Sequence, residues 1–278
     1  MKHLLLIGNH SYIGKNLIRY CEKHKKSEIQ ITAVSGKEKE YETMDFHQFD
    51  AVLLLSGIVH VKAETRRYDE VNFQMPVQIA KKAKREGIKQ FIFASTIAVY
   101  GNAQNTINHK TPTSPQTEYA KSKLKAENAI QKMESEEFGV TVIRPPMVYG
   151  PDCPGNFNRL VHFIDKVHMF PKYENERSAI YIENLCEFIC EVIRLQKVGI
   201  YVPQNSEYLC SLEIAKAMKE EGRNVCILHG MNHVIRFFMR YNQQMSKLFG
   251  NYKYEQEGSN EEIKYQMIST KESIKKSI

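Results

Sequence analysis

No stretch of this chain approaches the ~20 consecutive apolar residues that a membrane-spanning helix needs, so no integral membrane segment is expected. The apolar start has no cleavage site behind it. Met1-Lys2-His3-Leu4-Leu5-Leu6-Ile7 runs straight into a glycine-containing turn, and a cytoplasmic location is the expectation. Cysteine pairs at metal-binding spacing are missing too. Cys21, Cys153, Cys186, Cys190, Cys210 and Cys226 contain no Cys-x-x-Cys, which argues against both a zinc site and a disulfide framework. Cys186 and Cys190 share a helical face without a neighbouring histidine, so packing rather than metal binding is expected of them. Internal repeats and low-complexity tracts are absent.

What is present is material for a sizeable core. With 278 residues, 42% of them hydrophobic, the chain has enough for one large domain and a smaller lobe. The net charge of +7 suits an anionic ligand. The basic residues are spread through segments mixed with glutamate, which points to a small anion rather than a nucleic acid. The most basic local stretch, 233–247, sets Arg236 and Arg240 among Val234, Ile235, Phe237, Phe238 and Met239. It is expected to be a helix packing its apolar side inward, contact with a membrane surface being the alternative.

Short apolar runs at 3–7, 29–34, 51–55, 90–94 and 140–143 read as strands buried on both faces of a parallel sheet. Between them lie helical patterns: 14–22, 70–86 closed by Gly87, and one from Tyr119 to about Phe138 that stops at Gly139. The Pro/Gly/Asn-rich segment 151–158 marks entry into a second lobe, and 183–194 with 199–202 supplies one more helix and strand returning to the sheet. This alternation predicts an α/β fold, a doubly wound parallel sheet of Rossmann type with ligands at the carboxyl ends of its strands. Residues 1–150, joined by 179–202, form the sheet domain. Residues 151–178 and 203–278 form the smaller lobe.

The first strand ends in Gly8-Asn9-His10-Ser11-Tyr12-Ile13-Gly14. Glycines at such a turn let the backbone approach a pyrophosphate, which the helix N-terminus then stabilises through its free N–H groups and dipole. Ser11 stands where a middle glycine is usual. The second strand has no acidic residue at its end to bind an adenosine ribose; it has Val34-Ser35-Gly36-Lys37. Ser35 and Lys37, helped by His10, suit a 2′-phosphate, which tilts the choice between NAD and NADP toward NADP.

Tyr119 and Lys123, four residues apart, share a helical face. A phenol has a reference pKa of about 10, so a tyrosine acting as base near neutrality needs help, and a neighbouring ammonium supplies it. Thr96, 23 residues earlier at a strand end, is placed to hydrogen-bond a substrate oxygen.

Taken together, these residues resemble the extended short-chain dehydrogenase/reductase family, in particular sugar-nucleotide epimerases and dehydratases of the UDP-glucose 4-epimerase type. The resemblance runs through Asp45, Leu55-Ser56-Gly57, Asn72, the stretch from Ser95 to Gly101, Tyr119 and Lys123, Arg144 to Gly150, and Arg177 to Asn184. It implies a substrate-binding role for the smaller lobe and a catalytic set of Thr96, Tyr119 and Lys123. Gly8, Ser11, Tyr12, Ile13, Gly14, Asp45, Leu55, Ser56, Gly57 and Asn72 would line the dinucleotide, with Pro146 and Met147 flanking the nicotinamide. It further implies that Thr96, Asn156 and Arg177 hold a UDP-linked sugar. A guanidinium at Arg177 suits phosphate oxygens independently, unless it is spent on a salt bridge with Glu174 or Glu176. Dehydratases of the family carry an acid/base pair directly after the catalytic Ser/Thr. Here Ile97 and Ala98 follow Thr96, so epimerisation, or reduction of a 4-keto sugar, is expected instead. A non-catalytic nucleotide-binding protein is the remaining reading, and a homodimer is a possible assembly.

Overall fold

Alternate side chains of a strand point to opposite faces, and in the computed structural model of this protein both faces of the sheet are covered. Residues 1–59, 64–101, 106–256 and 263–278 are described. Along β1 (Lys2–Ile7), Leu4 and Leu6 pack into one core, which includes Leu17 and Cys21 of α1 (Tyr12–His24). Leu5 and Ile7 pack into a second core on the other face. Next come β2 (Ile29–Val34) and β3 (Ala51–Leu54), joined by a segment whose regular structure is the single 3-10 turn Glu40–Glu42.

Helical backbone then runs through α2 (Thr65–Asp69), a π-helical stretch Glu70–Gln74, and α3 (Met75–Arg85), starting five residues before the expected 70. Pro76 accounts for the irregularity. Its ring and missing N–H disrupt bonding to the carbonyl one turn earlier, and a widened turn accommodates it. β4 (Gln90–Ala94), β5 (Thr106–Ile107), α4 (Glu118–Gln131) and β6 (Gly139–Ile143) follow. Helix α4 stops seven residues short of Phe138. Ser135 and Phe138 exchange backbone hydrogen bonds in a tight turn, which drops Phe138 into the second core at the start of β6.

The chain continues through β7 (Met147–Tyr149), α5 (Asn156–Val167), β8 (Met169–Pro171), β9 (Ala179–Tyr181), α6 (Ile182–Arg194) and β10 (Gly199–Tyr201). It ends with α7 (Ser211–Glu220), β11 (Cys226–Leu228), α8 (Asn232–Tyr241), α9 (Gln243–Phe249), β12 (Lys253–Tyr254) and α10 (Thr270–Ser277). The six-stranded sheet has the order β10-β6-β4-β3-β1-β2 and is parallel throughout. The returning strand is thus β10, alongside β6. Because the chain passes from β2 across β1 to β3, the strand order reverses beside β1, and a crevice opens there at the carboxyl ends.

The stretch 233–247 departs from expectation. Asn242, in extended conformation, divides it into α8 and α9. Within α8 Ile235 is buried, while Val234, Phe237, Phe238 and Tyr241 are turned to solvent. No helix among the described residues is long and apolar enough to cross a membrane.

Candidate active site

The turn after β1 is built for close approach. Gly8 has φ +122°, and a Cβ there would lie 2.9 Å from the Ser56 nitrogen; one on Gly14 would lie 2.4 Å from the Gly8 oxygen. Ser11 explains its own presence. Its hydroxyl donates to the Gly8 carbonyl at 2.7 Å and accepts the Gly14 N–H at 2.9 Å, capping α1 with a side chain. The first-turn N–H groups of Tyr12 and Ile13 have no carbonyl one turn earlier within the helix, so they suit an anion. The Tyr12 hydroxyl itself donates to the Pro151 carbonyl and ties α1 to the 150–151 loop. Asn9 carries a buried side-chain oxygen with no partner among the described residues. Such an atom costs about 1–3 kcal/mol unless a donor meets it, and together with the glycine cradle it fits a bound dinucleotide. His10 is exposed at the rim.

At the end of β2 the Ser35 hydroxyl accepts the N–H groups of Lys37 and Glu38 and so holds the next turn. A carboxylate that sequence reading did not locate stands there: Glu40 accepts the Ser35 N–H at 3.4 Å. Lys37 is exposed beside it. Asp45 is not brought to this crevice. Its carboxylate accepts from the backbone and ring of His47, and it lines a surface hollow with Lys82, Arg85 and Glu86 at the C-terminal end of α3. Since the β2–β3 segment forms no further strand and helix, nothing lifts Asp45 to the carboxyl edge. Asp45, His47 and Glu86 do converge, but Lys82 and Arg85 already answer the Glu86 charge.

Leu55, Ser56 and Gly57 leave β3 over β1, with Leu55 and Ser56 both donating to the Ile7 carbonyl. Asn72, fully buried, clamps the segment: its side-chain oxygen accepts the Ile58 N–H, while its amide donates to the Ile58 carbonyl and the Ser122 hydroxyl. Gly57 is thereby held against Lys123, whose Nζ would stand 3.3 Å from a Cβ at that position.

Thr96 ends the extended backbone after β4 and caps a 3-10 turn by accepting the Ala98 N–H. Tyr119 lies on the first turn of α4, capped by Thr117. The structure brings these residues together. Burial pushes the Tyr119 phenol up to about 12, while a hydrogen bond with Thr96 pulls the other way. Lys123 is buried, donates to the Ala94 carbonyl at 2.8 Å and lies 4.6 Å from the centre of the Phe93 ring. Burial lowers its ammonium to about 8 against the favourable field of Glu127. The lowering influence on Tyr119 comes from Thr96 and not from Lys123 as expected, and burial outweighs it in this fold.

Sequence reading missed the network behind this set. Glu127, one turn beyond Lys123 on the same face, is fully buried and forms a bidentate pair with Arg144, with its closest contact at 2.6 Å. Ser95 donates to Glu127, Arg144 donates to the Tyr100 hydroxyl at 2.8 Å, and the Tyr254 hydroxyl donates to the Arg144 carbonyl. The spacing Tyr119, Lys123, Glu127 was the available signal. Pro146 is buried beyond β6 and Met147 opens β7, both at the carboxyl side of the sheet.

Arg177 is half-buried. Its guanidinium donates to the Gly250 carbonyl at 3.0 Å and sits 6.0 Å from the Tyr252 ring, whose hydroxyl donates to the Ile97 carbonyl beside Thr96. Burial lowers its pKa. Neither glutamate takes the charge, because Glu176 pairs with Lys253 and no ion pair among the described residues joins Glu174 to Arg177. Asn156 opens α5 and is exposed, and no hydrogen bond among the described residues ties it to the catalytic set.

The model of the NAD dependent epimerase/dehydratase family matches residues 4–202. A UDP-glucose 4-epimerase of Vibrio cholerae is 30% identical over 224 residues, 69% of this chain and 66% of that protein. The N-acetyl-alpha-D-glucosaminyl-diphospho-ditrans,octacis-undecaprenol 4-epimerase of Escherichia coli O157:H7 is 28% identical over 204 residues, 67% of this chain and 62% of that one. The chain thus spans just under two thirds of the length of these curated relatives. The solved structure of UDP-glucuronic acid 4-epimerase from Bacillus cereus, in complex with NAD, superposes with a TM-score of 0.76 at 16% identity, covering 99% of this chain and 97% of that chain. That likeness carries the fold. Because the family match runs from β1 past β10, over well more than half of its length, the chain belongs to the NAD dependent epimerase/dehydratase family.

Proposed function

We propose that this chain is a 4-epimerase of a nucleotide-linked sugar, a UDP-hexose or UDP-N-acetylhexosamine, working through a transient 4-keto sugar. The observation that carries the reading is the joining of Thr96, Tyr119 and Lys123 at the mouth of β4, with only β3 between it and the strand that leads into the glycine turn. A bound nicotinamide dinucleotide supplies the hydride acceptor and donor. Tyr119 takes the proton from the sugar 4-hydroxyl while Thr96 hydrogen-bonds the same oxygen. The Lys123 ammonium favours the phenolate. Pro146 and Met147 wall the reacting face. Arg177 holds the diphosphate, so that binding energy from the remote nucleotide positions the reacting carbon. After the ketose has turned over in the site, Tyr119 returns the proton.

We propose NAD as the cofactor. Ser35 is occupied holding its own turn, and the Glu40 carboxylate beside it suits ribose hydroxyls better than a 2′-phosphate, against the tilt that Ser35 and Lys37 gave. Reduction of a 4-keto sugar by NADPH is disfavoured on the same ground. A second substrate, a sugar diphosphate carried on a polyprenol as in the E. coli relative's name, is favoured by the exposed aromatic and arginine face of α8. Mass spectrometry of the cofactor carried by purified protein tests the reading. Retained NAD is expected, and an exchangeable NADPH would replace epimerisation with reduction.

A further inference from the structure

We propose that α8 is a docking surface for an anionic lipid bilayer. Placed at 100° per residue, its side chains fall into three arcs. Ile235 and Met239 form the arc toward the protein, buried and half-buried. Val234, Phe237, Phe238 and Tyr241 form a second arc, exposed at 46%, 58%, 49% and 77%. Phe237 sits 5.7 Å from Phe238 and 5.2 Å from Tyr241 between ring centres, so the three rings make one patch. Arg236, Arg240 and His233 form the third arc, all exposed, along one edge of the aromatic one.

Charge selects the occupant. From Gly222 through Tyr254 the sequence contains no Asp or Glu, although the whole chain has 32, while Arg223, Arg236, Arg240, Lys247 and Lys253 all fall within this stretch. Arg223 is answered by Asp165 and Lys253 by Glu176, whereas Arg236 and Arg240 stand exposed on α8, and a protein partner or a second copy would have to leave those two unanswered or bring its own acidic rim. A bilayer containing anionic lipid answers them across its whole surface and takes the aromatic arc into its headgroup layer. Aromatic rings with a polar tip, such as Tyr241, are at home at that depth, and arginine stems reach past them to phosphates. The position also serves the site. Helix α9 follows α8 directly and leads into Gly250, the carbonyl that holds Arg177. The docking itself does not depend on which sugar diphosphate Arg177 takes.

The chain has no tryptophan, so Phe237→Trp supplies a single reporter. In flotation, the protein is expected to rise with mixed phosphatidylglycerol/phosphatidylcholine vesicles and to stay behind with phosphatidylcholine alone, and the Trp reporter should shift to the blue only with the former. Arg236→Gln with Arg240→Gln should weaken partitioning about 25-fold, roughly fivefold for each arginine. Phe237→Ser with Phe238→Ser should weaken it by about tenfold or more while leaving Tm unchanged, since neither ring is in the core. No flotation with the mixed vesicles, or variants that float like the parent, would overturn the proposal. So would a dimer, seen by sedimentation, that the Phe237→Ser change dissociates in protein that ignores vesicles; that result would make α8 an interface between copies.

Discussion

Two arginines drawn in from the surface, Arg144 buried and Arg177 half-buried, meet opposite treatment in this molecule. Arg144 is met by the Glu127 carboxylate in a bidentate pair and by the Tyr100 hydroxyl. Arg177 donates to the Gly250 carbonyl, stands over the Tyr252 ring and has no carboxylate among the described residues. A buried cation with its counterion beside it is structural, because its charge is already spent. One left with a carbonyl and a ring still has its charge unanswered, which is why Arg177 is proposed for the diphosphate. On the proposed function, the contrast separates the side that holds the Tyr119 helix rigid from the side offered to phosphate.

Glu127→Gln should produce the largest change. It leaves the Arg144 charge buried without its partner, and a loss of about 3–5 kcal/mol in urea unfolding is expected. Arg177→Ala should leave that unfolding curve nearly in place, and a comparable loss there would erase the contrast. Tyr119→Phe tests the rigid side for chemistry: a hundredfold or greater loss of kcat is expected with dinucleotide affinity kept. Near-normal turnover would remove the phenol as acid and base. On the ligand side, Arg177→Ala should raise KM for the sugar diphosphate about thirtyfold, roughly 2 kcal/mol, and spare the dinucleotide. Weakened dinucleotide binding with unchanged sugar affinity would move Arg177 to the other site.

The smallest effect is a pH dependence. Lys123 has an ordinary value of 10.5 and about 8 in the fold. Below about pH 8 folded and unfolded chains both hold the proton, and the fold bears the full cost of burying the charge. Between about 8 and 10.5 the unfolded chain keeps a proton that the folded one has shed, so rising pH favours folding. Relative to Lys123→Met, which does not titrate, the parent should gain about 2 kcal/mol of unfolding free energy between about pH 8 and 9.5. A gap that stays constant with pH would mean that Lys123 is not desolvated.

Much of this was legible because the signals are local. Runs such as Leu4 to Ile7 and Phe91 to Phe93 have no polar face to offer, so they fit only a sheet covered on both sides. The Tyr119/Lys123 spacing fixes a shared helical face whatever surrounds it. Spacing puts Glu127 on the Lys123 face, but its pairing with Arg144 was hidden because it joins α4 to the residue after β6, a neighbourhood that spacing does not reveal. Asp45 was misplaced because the β2–β3 segment carries no strand to lift it to the crevice. In α8 the period showed an apolar side correctly, yet period cannot say which way a helix is turned, and Ile235 and Met239 rather than the phenylalanines face the protein.

The most direct test is proton NMR of a UDP-hexose incubated with purified protein and NAD. The account predicts that the 4-epimer appears and grows to equilibrium with no net change in nicotinamide absorbance. An unchanged sugar in the presence of bound NAD, or product formed in step with loss of the reduced cofactor, would contradict it.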